Sequence, residues 1–149
     1  MKVRKFGRGK ELEMFSAAVD THLERQLAAG GIKAGFPSPA EDFLDIAIDL
    51  NVELIRNPVS TFFSRVSGNS MQDMGINDGD LLIVDKSLQP ENNKVAVCYL
   101  DGEFTLKRIK IEKDCCWLIP ANEDFKPIKV TAENDFIVWG IVTYVIKSL

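Results

Sequence analysis

Residues 94–111, KVAVCYLDGEFTLKRIKI, constrain the fold more than any other part of this sequence. They contain two β-rich runs joined by Asp101-Gly102, a dipeptide typical of the type I′ turn that links two antiparallel strands. Further runs of this kind lie on both sides of the hairpin: VSTFFSRVS, DLLIVD, CWLIP, PIKV and FIVWGIVTYVI, the last with a bend expected at Gly140. Many short strands separated by turns predict a mainly β protein with an antiparallel, partly closed sheet.

The N-terminal part of the chain has a different pattern. Apolar residues recur every three or four positions along residues 11–29 and predict an amphipathic helix; they are Leu12, Phe15, Val19, Leu23 and Leu27. Gly30-Gly31 would end this helix, and the following segment, GGIKAGFPSPAED, is typical of an exposed linker. A short helix is predicted over residues 49–56, before Pro58. We therefore expect a mobile, helical N-terminal arm in front of a β domain.

Composition is that of a globular protein, since 46 % of the 149 residues are hydrophobic and 27 % are charged. No apolar run reaches the roughly 18 residues of a membrane span, and no signal peptide is recognisable, so a cytoplasmic location is expected. Three cysteines, two of them adjacent, do not suggest a disulfide framework. The single histidine excludes a His-rich metal site and argues against a Ser-His-Asp triad. We expect no metal ion and no cofactor.

Charge is distributed unevenly along the chain. Residues 1–34 carry a net charge of +3 and residues 35–149 a net charge of −7, within a total of −4. An acidic body of this kind is a poor general binder of nucleic acid. We therefore expect no direct sequence-specific DNA binding, and the basic first ten residues are expected to form a solvated tail.

The sequence SGNSM at residues 67–71 places Ser70 in a glycine-containing turn just before an apolar strand. Such a turn can simply reverse the chain, or it can expose a hydroxyl group as a nucleophile. A serine hydroxyl is a weak nucleophile until a neighbouring base takes its proton. The functional interpretation therefore requires a base elsewhere in the chain.

Lys107 is a candidate for that base. Alternation along EFTLKRIKI puts Lys107 on the same face as Ile109, whereas Arg108 and Lys110 lie on the opposite face. One interpretation is a lysine whose amine reaches solvent from a half-buried sheet face. The other is a desolvated lysine that acts as a general base, because burial disfavours the ammonium form.

These motifs together resemble the self-cleaving LexA/UmuD proteins. SGNSMQDMGINDGDLLIVD and DGEFTLKRIK are similar to the two regions in which this family carries an S-G-x-S-M serine and a catalytic lysine, and Ser70 and Lys107 occupy those positions. AGFPSPAED resembles the cleavage-site region of the UmuD branch. The resemblance covers about residues 34–149 and implies a LexA/signal-peptidase-like β-fold.

The family likeness implies that the chain cuts itself between Ala34 and Gly35. Residues 1–34 would then be an arm that is removed, and residues 35–149 the Ser–Lys peptidase-like domain. A second Ala-Gly bond, Ala29–Gly30, remains open as the cut, and so does the choice between cleavage within one chain and cleavage between two chains.

Roles within the site follow from the same resemblance. Ser70 would attack the scissile carbonyl group, and Lys107 would take the serine proton. Backbone N–H groups of the serine turn, at Asn69 and Met71, would stabilise the oxyanion.

Partners are implied in the same way. In this family a RecA filament on single-stranded DNA stimulates cleavage after DNA damage, and the product forms a homodimer that joins a UmuC-type translesion polymerase. A self-cleaving LexA-like repressor is an alternative, although residues 1–34 show no helix-turn-helix pattern. A signal-peptidase relative, which would need a membrane anchor, and a non-enzymatic binding module are the others.

Overall fold

The computed structural model describes residues 5–8, 11–17, 24–27 and 46–149. In chain order these residues form β1 (Lys5–Arg8), β2 (Leu12–Ser16), β3 (Glu24–Leu27), β4 (Ile46–Asp49), α1 (Leu50–Leu54), β5 (Thr61–Val66), β6 (Leu81–Asp85), β7 (Val95–Leu100), β8 (Glu103–Ile111), β9 (Cys116–Ile119), β10 (Ile128–Val130) and β11 (Phe136–Ile146). The predicted mainly β class is confirmed. No helix in this described part of the chain has the length and apolar character needed to cross a membrane.

Most of the strands belong to one nine-stranded antiparallel sheet, in the order β1-β2-β5-β6-β11-β7-β8-β9-β10. β3 and β4 form a separate two-stranded pair. The sheet curls, so that β2 approaches β8 although four strands separate them in the sheet order. This curl brings segments that are distant in sequence to one site.

The hairpin and the short helix predicted from the sequence are both confirmed. β7 and β8 pair around Asp101 and Gly102, whose φ angles of +46° and +95° are those of a type I′ turn. α1 begins after Asp49, whose carboxylate accepts a hydrogen bond of 2.9 Å from the backbone N–H of Asn51. The helix ends before Pro58, as expected.

β11 joins the two halves of the sheet, because its first half pairs with β7 and its second half with β6. The register shifts between Val138 and Gly140. A Cβ atom at position 140 would lie 2.6 Å from Cγ1 of Val84 on β6, which is closer than real Cβ atoms come to their neighbours. The sequence predicts a bend at Gly140; the structure shows a register shift at this position, where the close approach of Val84 leaves room only for glycine.

The helix predicted over residues 11–29 is wrong wherever the structure describes that segment. Residues 12–16 form β2, which pairs with β5, and residues 24–27 form β3, which pairs with β4. Leu12 and Met14 are fully buried in the core, an alternation that the sequence ELEMFS also permits. Pairing with a distant strand therefore decided between two periodicities that the local sequence allows.

Other expectations for the N-terminal region have mixed outcomes. Residues 5–8 form β1 against β2, so this part of the basic N-terminus is not the solvated tail that we expected. Residues 18–23 and 28–45, with the predicted linker and the Ala29–Gly30 and Ala34–Gly35 bonds, lie outside the described residues. The predicted mobility of the arm therefore stays a prediction.

Two clusters of buried apolar side chains form the core around β8. Leu106 belongs to the first cluster, together with Leu12, Met14, Val66, Met71, Ile76, Leu82, Val84 and Val97. Ile109 belongs to the second, together with Ala96, Cys98, Leu118, Val130 and Ile141. β8 is thus buried on both faces along its middle, and this is where Lys107 lies.

Candidate active site

Ser70 and Lys107 lie in hydrogen-bond contact, with 3.3 Å between the lysine Nζ and the serine Oγ. Ser70 is in the loop that follows β5, and Lys107 is in the middle of β8. Both residues are buried, with exposed fractions of 7 % and 3 %. The contact is inside the protein rather than at its surface, where water would compete for the hydroxyl group.

The loop that carries Ser70 is held at its first residues. Gly68 has a φ of +88°, a left-handed backbone conformation that residues other than glycine rarely adopt. Its backbone N–H donates a hydrogen bond of 2.8 Å to Oδ1 of Asp78. Asp78 precedes Gly79, which also has a left-handed φ, of +86°. The turn at Asp78 and Gly79 therefore braces the serine loop.

The loop around residues 120–124 holds the serine loop from the other side. The backbone N–H of Ala121 donates to the carbonyl oxygen of Ser70, and Nδ2 of Asn122 donates to the carbonyl oxygen of Asn69, each at 2.8 Å. Asn122 is itself buried, and its Oδ1 accepts from the backbone N–H of Asp124 at 3.0 Å. Sequence analysis missed Asn122, because nothing in its neighbourhood indicates a partner about 50 residues earlier.

Three backbone N–H groups of the serine loop have no acceptor among the residues that the structure describes. The carbonyl groups of Asn69, Ser70 and Met71 all accept hydrogen bonds from the backbone or from Asn122. In the part of the chain that the structure describes, no acceptor is found for the backbone N–H groups of these same residues. A rigid turn with unpaired N–H groups beside a hydroxyl is the arrangement that an oxyanion hole requires.

The Lys107 amine does not reach solvent, so the interpretation of Lys107 as a lysine that extends to the surface is wrong. Its neighbours are polar, however, and not the apolar wall expected for a desolvated base. Besides Ser70, Nζ contacts both carboxylate oxygens of Glu11 at 2.9 Å, Oγ1 of Thr105 at 2.8 Å and the carbonyl oxygen of Leu106 at 3.0 Å. Glu11 is the residue of this group for which the sequence held no signal, since 96 positions separate it from Lys107.

β8 also binds the Glu11 carboxylate through residues other than Lys107. Oε2 accepts a hydrogen bond of 2.7 Å from Oγ1 of Thr105 and one of 3.1 Å from the backbone N–H of Leu106. Burial acts most strongly on the pKa of Glu11 and would raise it, but the hydrogen bonds and the charge of Lys107, with the bonds from Thr105 and Leu106, outweigh that effect and lower the pKa. Glu11 is therefore ionised at neutral pH.

The other basic side chains of β8 are not part of this cluster. Lys110 points away from Lys107 and pairs with Glu112 at 3.2 Å, both largely exposed. This agrees with the prediction that Lys107 and Lys110 occupy opposite faces of the strand. The proposed scissile residues, Ala34 and Gly35, lie outside the described residues.

A buried serine hydroxyl in hydrogen-bond contact with a lysine amine is a geometry in which a nucleophile and its base can work together. The protein-family model described as Peptidase S24-like matches residues 26–143. The MucA protein of Salmonella typhimurium is 40 % identical over 114 residues, which are 76 % of this chain and 77 % of MucA. The ImpA protein of the same organism is 38 % identical over 130 residues, 85 % of this chain and 86 % of ImpA.

The LexA repressor of Colwellia psychrerythraea is 37 % identical over 120 residues, which are 80 % of this chain and 56 % of the repressor. The chain belongs to the Peptidase S24-like family. The resemblance to LexA/UmuD proteins that the sequence motifs indicate is thereby confirmed.

Proposed function

We propose that this chain is a UmuD-like protein of the SOS response that cleaves itself between Ala34 and Gly35 with a Ser70–Lys107 dyad. RecA on single-stranded DNA stimulates the cut, and the product, residues 35–149, serves as a dimeric accessory subunit of an error-prone translesion polymerase. The observation that carries the proposal is the buried contact of 3.3 Å between Lys107 Nζ and Ser70 Oγ, in a chain of the S24-like family. The UmuD-like relatives MucA and ImpA support the biological setting.

The chemistry proceeds by acyl transfer. Neutral Lys107 takes the proton of Ser70 while the serine oxygen attacks the carbonyl carbon of Ala34. The backbone N–H groups of the serine turn stabilise the resulting oxyanion. The Lys107 ammonium then passes the proton to the departing amine of Gly35, and an ester joins Ser70 to Ala34. Lys107 next takes a proton from water while the hydroxide attacks the ester carbon, and it returns that proton to the Ser70 oxygen as the ester bond breaks. Ala34 is left with a free carboxyl group, which ionises in solution.

Incubation of the purified chain at increasing pH tests the chemistry. Mass spectrometry should find fragments 1–34 and 35–149 accumulating more quickly as the pH rises, because the reaction requires the neutral lysine. Ser70→Ala should remain intact under the same conditions. Cleavage of Ser70→Ala at the same bond would refute the dyad, whereas fragments 1–29 and 30–149 would move the cut to Ala29–Gly30.

Further measurements address the setting and the route of cleavage. A RecA filament on single-stranded DNA should raise the cleavage rate at neutral pH, and RecA without DNA should not. Light scattering on the isolated product should give the mass of a dimer, and a UmuC-type polymerase should co-purify with it.

To distinguish cleavage within one chain from cleavage between two chains, a tagged Ser70→Ala chain is mixed with the active chain. The appearance of tagged fragments would demonstrate cleavage between chains.

A LexA-like repressor is the second candidate function, favoured by the 37 % identity with the LexA repressor. It predicts sequence-specific binding of the uncut chain to duplex DNA that is lost on cleavage. An electrophoretic mobility-shift assay with genomic fragments and the Ser70→Ala chain distinguishes the two, because the accessory-subunit proposal predicts no specific shift.

A further inference from the structure

The Lys107 amine is engaged mainly by a carboxylate that the reaction does not require. Glu11 contacts Nζ with both oxygens at 2.9 Å, whereas Ser70 Oγ, at 3.3 Å, makes the longest of the amine's five contacts. An ammonium group has three N–H donors and no acceptor. A base for Ser70 must instead present a lone pair to the serine hydroxyl. The arrangement around Nζ is that of a charged lysine held by its counter-ion.

Glu11 is fixed at both ends, so this ion pair is built into the fold. Its carboxylate is bound by Thr105 and by the backbone of Leu106, both on β8. Its own carbonyl oxygen accepts a hydrogen bond of 2.6 Å from the backbone N–H of Ser67, where the serine loop begins. The next residue, Leu12, is fully buried in the core. Glu11 therefore bridges the two elements that carry Ser70 and Lys107.

An opposite charge in direct contact favours the charged form of a titratable group. We propose that Glu11 is an autoinhibitory residue that holds Lys107 as the ammonium ion, so that self-cleavage begins only when Glu11 withdraws or loses its charge. This inference depends on the proposed role of Lys107 as the base for Ser70. Because Glu11 precedes the proposed cut, release of fragment 1–34 would also remove the inhibitory carboxylate from the product.

Other charged and titratable groups near Lys107 do not contact its amine. Glu11 and Lys107 line a cavity of about 230 Å³, and Glu103 and Lys126 also line it but do not contact Nζ within the described residues. Cys98 on β7 also faces Lys107, and burial, with a smaller contribution from Cys116, raises the pKa of its thiol to about 12. The Cys98 thiol therefore stays largely neutral over the pH range of a cleavage assay.

Glu11→Gln tests the proposal, because it keeps the shape of the side chain and removes its charge. The cleavage rate is measured between pH 6 and 11, a range that includes the ordinary pKa of a lysine side chain in water. We expect the midpoint of the profile to move to lower pH by about one to three units, and the rate at pH 7.5 to rise about tenfold or more. Glu13→Gln is the matched control, since Glu13 lies on β2 and is not among the groups that contact Nζ in the structure; its profile should not move.

A slower Glu11→Gln chain, or one with an unchanged profile, would overturn the proposal and make Glu11 a structural or productive partner of Lys107. Each profile is recorded beside the same chain carrying Ser70→Ala. If the Ser70→Ala form of the parent chain is still cut, the proposed function fails. If cleavage of the parent chain requires Ser70 but the pH profile of Glu11→Gln does not move as expected, only the inference about Glu11 fails. If Glu11→Gln does not fold, Glu11→Asp replaces it in the test, because aspartate keeps the charge but has a shorter side chain. The midpoint of its pH profile should also move to lower pH, by less than is expected for Glu11→Gln. An unchanged midpoint in Glu11→Asp would refute the proposal.

Discussion

Asn122 donates a hydrogen bond of 2.8 Å to the carbonyl oxygen of Asn69, the residue just before Ser70. This contact, with the bond from Ala121 to the Ser70 carbonyl group, ties the serine loop to a second loop about 50 residues further along the chain. The position of the Ser70 hydroxyl thus depends on a side chain that takes no part in proton transfer.

Asn122→Ala should therefore slow self-cleavage without abolishing it. A displacement of the nucleophile by about 1 Å can cost on the order of 100-fold in rate, so we expect a decrease of about 10- to 100-fold. The measurement is the first-order rate of fragment formation at alkaline pH. Asn134→Ala, which removes the hydrogen bond from the side-chain amide to Asp101 in the turn of the β7–β8 hairpin, is the control and should cleave at the parent rate. Equal rates for both variants would mean that the Asn122 bond does not position Ser70.

Lys107→Ala should reduce self-cleavage by about 10³-fold or more, because the serine loses its base. Lys110→Ala should cleave normally, since its exposed pair with Glu112 contributes little. Both variants are compared by gel electrophoresis after incubation at alkaline pH. Full activity of Lys107→Ala, or loss of activity in Lys110→Ala, would refute the assignment of Lys107, rather than Lys110, as the base for Ser70.

Leu12→Ala should destabilise the uncut chain by about 2–5 kcal/mol, because it leaves a cavity in the first core cluster. The free energy of unfolding is measured in urea with Ser70→Ala as the background, so that self-cleavage does not interfere. Val59→Ala, at a side chain that is 98 % exposed, should change stability by less than about 0.5 kcal/mol. A similarly small effect at Leu12 would show that β2 is not part of the folded core in solution.

Gly140→Ala should destabilise the protein by about 1–3 kcal/mol, because the new methyl group overlaps Cγ1 of Val84. Val84→Ala removes that atom, so the double variant should be more stable than the sum of the two single effects predicts. Stability is measured by thermal and urea unfolding for the parent, the two single variants and the double variant, which together form a double-mutant cycle. Strict additivity would contradict the steric explanation for Gly140.

Asp85 should contribute to the loss of stability in acid. Burial would raise its pKa, but hydrogen bonds from Asn57, Ser87 and Ser60 outweigh that effect and hold the pKa below its usual 3.8. A lowered pKa stabilises the fold above about pH 3.8, and this stabilisation is lost as the pH falls through the folded-state pKa. Asp85→Asn should therefore be less stable than the parent at pH 6 and lose less stability between pH 5 and 2, whereas the exposed Glu133→Gln should follow the parent curve.

Much of the fold was predictable because its signals are local. The Asp101-Gly102 turn, the alternation along β8 and the short helix before Pro58 each depend on neighbours within a few residues. The helix predicted over residues 11–29 failed for the same reason, since ELEMFS fits a strand as well as a helix and only pairing with β5 distinguishes them. Asn122 and Glu11 were missed because their partners lie 53 and 96 positions away.

The sequence by itself determined the class of the fold, the family and the two side chains, Ser70 and Lys107, whose chemistry can be that of a nucleophile and its base. Only the tertiary structure decided that Lys107 is buried and that its amine is 3.3 Å from Ser70 Oγ. It also decided that the Glu11 carboxylate binds this amine. The physical reason is the curl of the sheet. It brings the segment before β2 against β8, a contact that depends on the path of every strand between them and on no local pattern.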